Sequence, residues 1–150
     1  MNPMNTSKIT AHALIATAPI AAAVILAATA HADIFQSPPG DTVCDISTGN
    51  DGTGDVFCDT REKRSYATTC DPGWGYRFSL HQGSAPVSHC QLDLIIPGSV
   101  PANRGLGTLA YGRTASAGTI TCDSETSGVT CTDSSTGHFF RVSRGSYQLG

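Results

Sequence analysis

Charge is scarce and unevenly placed in this 150-residue sequence. Only 14% of residues are Asp, Glu, Lys or Arg, and none of the 12 acidic residues precedes Asp33. Glycine is missing from the same opening stretch, although 16 glycines follow it. Lys and Arg number 9 against those 12 acids, so the chain has no basic footprint for nucleic acid. It has no C-x2-C pair, which removes the usual zinc spacings, and no G-x-S-x-G elbow, which removes the α/β-hydrolase signature. Glutamate occurs only at Glu62 and Glu125, neither set among the apolar neighbours that a glycosidase acid needs. No window after position 32 places apolar residues at i, i+3, i+4 and i+7, so long amphipathic helices are not expected.

The barren opening stretch is itself a pattern. Lys8 and the α-amino group give a positive start, Ala13–Ala28 is apolar, and Ala30-His31-Ala32 fits an A-x-A cleavage site. We read residues 1–32 as a secretory signal peptide, with Asp33 as the first residue after cleavage. The apolar run is short for a bilayer span and is broken by Pro19, so no stable membrane span is expected after cleavage. No twin arginine precedes the run and no cysteine closely follows it, which favours the general secretory route over a lipid-anchored form. The remaining 33–150 suits one domain, with 8 basic and 12 acidic residues.

That domain is poor in core residues and rich in turn formers, so its stability needs another source. Its six cysteines, Cys44, Cys58, Cys70, Cys90, Cys122 and Cys131, form an even set in an exported chain and read as three disulfides. Reading Thr119–Asp123 and Val129–Asp133 as a hairpin with Thr126-Ser127 at its tip places Cys122 opposite Cys131 at a non-hydrogen-bonded pair. A bulge at Gly128 would shift that register by one. The segments around Cys44 and Cys58 look like a looser copy of this hairpin, which pairs those two and leaves Cys70 with Cys90 by elimination. Each bond closes a short loop and contributes on the order of 3 kcal/mol.

Alternation with period two marks Tyr76–His81 as a half-buried strand, and Leu92–Ile96, Leu109–Tyr111 and Phe140–Ser143 as further strands. Ser146–Leu149 is expected to extend the last of these along the same line, and Asp59–Thr69 to hold a helical turn. The fold class is therefore all-β: a small antiparallel sheet, sandwich or barrel held by three disulfides.

Several strings carry a resemblance. Phe35-Gln-Ser-Pro38, Trp74-Gly75, Cys90-Gln-Leu-Asp93, Tyr111-Gly112, Thr119-Ile-Thr-Cys122, Ser127-Gly-Val-Thr-Cys131, Thr136-Gly-His-Phe-Phe140 and Ser143-Arg144 resemble an uncharacterised exported, cysteine-containing family, a domain of unknown function common in mycobacteria and related actinobacteria. The likeness covers most of 35–149. This sequence departs from it at Gly40-Asp-Thr-Val-Cys44, where an asparagine is expected, and at Phe139, where a glycine is. The resemblance implies export and disulfides, and it brings no catalytic residues.

Chemistry is sought in three places. His81 and His89 would approach each other and Asp93 if their strands pair in a suitable register; His138 stands apart, and surface imidazoles are the expected outcome. Asp45, Asn50, Asp51 and Asp55 crowd the first hairpin loop, but without the spacing of a calcium loop, so a solvated turn is expected. Arg61–Arg64 reads as solvated charge, and Trp74, the sole tryptophan, as a core plug in preference to an exposed binding aromatic. No catalytic residue, metal ligand or cofactor is assigned, and enzyme activity is disfavoured. The expected role is a non-catalytic binding protein of the cell envelope or extracellular space. Its partner would be an unidentified protein or glycan. Inhibition of a secreted hydrolase through the Asp45–Asp55 loop is the alternative, and a small wall- or lipid-directed hydrolase ranks below it.

Overall fold

The computed structural model describes residues 31–61, 66 and 70–150; the leader expected over 1–32 lies outside them apart from its last two residues. Among the described residues there is no helix. The strands are β1 (His31–Gln36), β2 (Thr42–Thr48), β3 (Gly54–Arg61), β4 (Gly75–His81), β5 (Val87–Gln91), β6 (Gly107–Thr108), β7 (Thr114–Ala117), β8 (Ile120–Glu125), β9 (Gly128–Asp133), β10 (Phe139–Val142) and β11 (Tyr147–Leu149). They form two sheets, ordered β5-β4-β3-β2-β1-β6 and β11-β10-β9-β8-β7. Each is a meander of five successive antiparallel strands, and the two-residue β6 adds parallel to β1. Neither closes on itself, so the architecture is a sandwich and not a barrel.

The two meanders share a plan. In the first sheet, cross-strand pairing sets Phe35, Cys44, Cys58 and Phe78 in one row across β1–β4. In the second, Ala115, Cys122, Cys131 and Phe140 occupy the corresponding row across β7–β10. Both rows point inward, and the Phe78 and Phe140 rings meet with centroids 6.1 Å apart. Burying each ring stabilises the fold by roughly 1.5–3 kcal/mol. The likeness of the two cysteine hairpins thus extends to whole sheets.

Cys44–Cys58 and Cys122–Cys131 are bonded across facing positions, with Cα atoms 4.0 and 3.9 Å apart, and Cys70–Cys90 completes the set. The register expected for the last hairpin holds: Glu125 faces Gly128 and Cys122 faces Cys131, with no shift at Gly128. Gly128 takes φ +130°, and a Cβ there would collide with the Val142 carbonyl of β10.

Four sequence expectations are corrected. Asp59, Thr60 and Arg61 continue β3 instead of starting a helical turn, while the rest of that segment lies outside the described residues except for Tyr66. Leu92–Ile96 is not a strand. The buried Asp59 carboxylate accepts the Ile95 N–H at 2.7 Å, and Arg77 donates to the Asp93 carbonyl at 3.2 Å, which draws the segment across the outer face of the first sheet. That cover, together with an Arg104–Asp45 ion pair at 3.0 Å, explains why β2 is buried on both faces and shows no clean alternation. Near Leu109, the paired residues are Gly107 and Thr108; Leu109 still donates to Gln36, and the chain then turns through Gly112 at φ +77°. Finally, 146–149 does not prolong β10. Ser143 and Ser146 close a turn, and β11 runs back beside β10 with Val142 facing Tyr147.

Aromatic residues fill the core near the β10–β11 turn. Tyr66 packs edge-on against Tyr76 (4.8 Å) and Tyr147 (5.2 Å), and its hydroxyl donates to the Ser143 carbonyl at 2.7 Å. Burial pushes the Tyr66 phenol up to about 12.

Polar groups clamp the opposite end. The Gln82 side-chain oxygen accepts from Gly54 N (2.9 Å) in the first sheet and Thr119 N (3.1 Å) in the second. Asp133, fully buried, accepts from Gly83 N (2.6 Å), the Thr119 hydroxyl (2.5 Å), and the backbone and hydroxyl of Ser135. Desolvation alone would raise its pKa; the Gly83 N–H and the hydroxyl donors outweigh it and hold the carboxyl well below the usual range. The sheets come so close here that a Cβ on Gly54 would strike the Ala117 carbonyl.

Candidate functional site

The residues singled out for chemistry do not assemble. β4 and β5 do pair, but in a register that sets His89 opposite Arg77, leaving His81 beyond the last paired rung. His81 lies instead against Asp55 across β3, 2.9 Å from its carboxylate, and both are exposed. Asp93 is held through its carbonyl by Arg77, and His138 lies 3.3 Å from the Gly150 carbonyl. The three imidazoles therefore do not converge on one point with Asp93.

The acidic loop disperses in the same way. Asp45 is in β2, against Arg104, and Asp55 is in β3, against His81, so neither belongs to the turn. What remains is the five-residue link 49–53. Asp51 caps it by accepting from Thr53 N at 2.9 Å, a bond that lowers the Asp51 pKa, and Gly52 adopts φ +83°. Among the described residues no group of three or more His, Cys, Asp or Glu side chains is arranged to hold a metal ion.

Trp74 is not a core plug. It is 36% exposed, at the end of a turn in which its N–H donates to Asp71 O and Gly73 takes φ +87°. The inward positions of β4 are already taken by Tyr76, Phe78 and Leu80, which leaves the indole outside. It lines a shallow depression of about 420 Å³ with Arg61, Leu92, Leu94 and Ile96.

A concavity walled by both sheets lies at the end of the sandwich away from Gln82 and Asp133. It is a cleft of about 430 Å³ whose walls come from both sheets: the β1–β2 loop, the β8–β9 turn, the β10–β11 turn and Tyr111. Asp41 is fixed on one wall, receiving the Ser37 hydroxyl at 3.1 Å and Arg144 Nε at 3.2 Å. On the other, the Ser127 hydroxyl donates to Glu125 at 3.2 Å. Tyr111 is 45% exposed beside them. Below, the Tyr66–Ser143 hydrogen bond ties the cleft to the aromatic core. The result is a polar, mixed-charge concavity with one open aromatic face. It is suited to holding a ligand through hydroxyl and carboxylate contacts. A second gap, of about 740 Å³, lies between β1–β6 and β7; its arginine, Arg104, is already engaged by Asp45.

Nothing in the sequence gives Asp41, Glu125 or Arg144 a role in a common site. Ser37, Tyr111, Ser127–Val129 and Ser143–Arg144 do belong to the strings that carry the resemblance, and these widely spaced strings meet at this cleft. The chain matches the family of unknown function DUF6636 over residues 13–149 and belongs to that family. No curated protein and no solved structure matches it. The three disulfides fit an exported or extracellular protein, and among the described residues no helix is long and apolar enough to cross a membrane.

Proposed function

We propose that the chain is an exported, non-catalytic binding protein of an actinobacterial envelope or its surroundings, and that the cleft at Tyr111 is its recognition site. The observation that carries this reading is Tyr111, almost half exposed beside the oriented Asp41–Arg144 pair on a scaffold fixed by disulfides. Loops on a rigid frame are where recognition is usually placed, because preorganised groups lose little entropy on binding. Inhibition of a hydrolase through the first hairpin is less well supported, since a capped five-residue turn has little reach.

Export through the general secretory route rests on the leader sequence. Cleavage after Ala32 would remove the β1 rungs His31–Thr48 and Ala32–Ser47 and leave Asp33–Gln36 paired with β2. N-terminal sequencing of protein recovered from the envelope or medium should begin at Asp33; an intact leader would refute the processing step. For recognition, envelope fractions should yield one saturable partner with the processed protein and none with the Tyr111→Ala/Arg144→Ala variant. Equal retention by both proteins would refute the cleft.

A further inference from the structure

The cleft has a neighbour that shares one of its lining residues. Asp41, on its wall, also lines a narrow depression of about 50 Å³ on the outer face of the first sheet. Arg61 and Ile96 line that depression too, and both go on to line the one at Trp74. Three concavities thus share walls in sequence, with an exposed aromatic at each end: Tyr111 at 45% and Trp74 at 36%.

We propose that this furrow is one extended site for a linear glycan, with Tyr111 and Trp74 as its terminal sugar platforms. The proposal rests on the cleft being the recognition site and names its ligand class. The apolar face of a pyranose ring packs on an exposed aromatic ring, while its hydroxyls need both acceptors and donors. The furrow supplies acceptors at Asp41 and Glu125 and donors at Arg61 and Arg144, so charges of both signs stand along it. That balance suits a hydroxyl-rich, uncharged chain better than a strongly charged one. An extended peptide would gain most from an open strand edge, which supplies main-chain hydrogen bonds. Among the described residues the furrow runs along turns and loops and over the covered face of the first sheet, while the sheet edges lie elsewhere.

The site carries its own reporter, because Trp74 is the only tryptophan. The test is a fluorescence and calorimetric titration of the processed, disulfide-intact protein. The probes are neutral β-1,4-linked gluco-oligosaccharides from dimer to hexamer, with and without N-acetyl groups. Affinity is expected to rise with length, and Trp74 emission to shift only with the longer chains. Trp74→Ala and Tyr111→Ala, each confirmed as folded by circular dichroism and thermal melting, should weaken hexamer binding about tenfold or more. Trp74→Ala should leave dimer binding at Tyr111 unchanged. If the hexamer binds no more tightly than the dimer, yet still depends on Tyr111, the extended furrow falls and the cleft stands. If no oligosaccharide binds while an envelope partner is still captured through Tyr111, the glycan assignment falls alone. If a library of extended peptides saturates the site instead, the ligand class is wrong.

Discussion

Around Gln82 and Asp133 the two sheets are drawn together; around Tyr111 they are spread by a cleft of about 430 Å³. At the first end a side-chain amide and a carboxylate reach from one sheet to backbone donors on the other, and Gly54 lets the main chains approach without a Cβ between them. At the second end the one pair that crosses between the sheets, Asp41 with Arg144, is largely exposed on the arginine side, and Glu125 pairs with Ser127 within a single turn, so these groups remain partly open to solvent. The contrast shows how a small domain divides its work. Two of the disulfides brace neighbouring strands within one sheet each, whereas the buried polar clamp joins the two sheets at one end. The other end is then free to be concave.

The same chemical deletion at the two ends should have unequal effects. Asp133→Ala leaves the Gly83 N–H, the Thr119 hydroxyl and the Ser135 donors without their acceptor in a buried site, and is expected to cost about 3 kcal/mol. Asp41→Ala, whose arginine partner is largely exposed, should cost under about 1 kcal/mol. Denaturant titration of both variants checks this, and equal losses would break the comparison.

The clamp should also be visible in pH dependence. Because the Asp133 pKa is depressed in the folded state, the unfolded chain binds the proton more readily, and stability rises with pH. Its contribution is complete above the ordinary Asp range, roughly pH 4–5, and is lost as pH falls towards the folded value. Melting curves of wild type and Asp133→Asn are therefore expected to converge as acid is added; a constant gap from pH 7 to pH 2 would contradict the mechanism.

A smaller effect is expected where the open end meets the core. Tyr66→Phe removes the hydrogen bond to Ser143 and should cost about 1 kcal/mol. Ultraviolet titration should find a tyrosine ionising near 12 that this variant lacks. Burial raises that pKa, so the stabilisation it reports is present below about pH 10 and is lost as pH climbs towards 12. Smallest of all, Tyr111→Ala should change stability by less than about 0.5 kcal/mol while abolishing ligand capture. A large loss of stability there would make Tyr111 structural and sink the functional contrast between the ends.

Local pattern carried much of the fold. The alternation of β4 and the Cys122–Cys131 hairpin of β8–β9 are read directly, because pairing across a short turn depends on counting residues; Cys44–Cys58 follows from likeness to that hairpin and Cys70–Cys90 from elimination. Leu92–Ile96 misled because its spacing is that of a strand, while its position is set by Asp59 and Arg77, which are distant in sequence. Trp74 misled for a related reason. Hydrophobicity favours burial, but the inward sites were filled by Tyr76, Phe78, Phe140 and Tyr147 before an indole was needed. Of the candidate site, only the resembling strings are visible in the sequence, where Tyr111 reads as part of a strand, and nothing in the order of residues marks Asp41 and Arg144 as partners.

The sequence by itself determined an all-β chain with paired cysteines, because strand alternation and hairpin register are short-range properties of a covalent chain. Tertiary structure alone decided that Gln82 and Asp133 close one end, and that residues as far apart as Ser37 and Arg144 line the other. Packing one sheet on another is a long-range event. Its outcome depends on which faces bury together, and that is encoded in no single stretch of the chain.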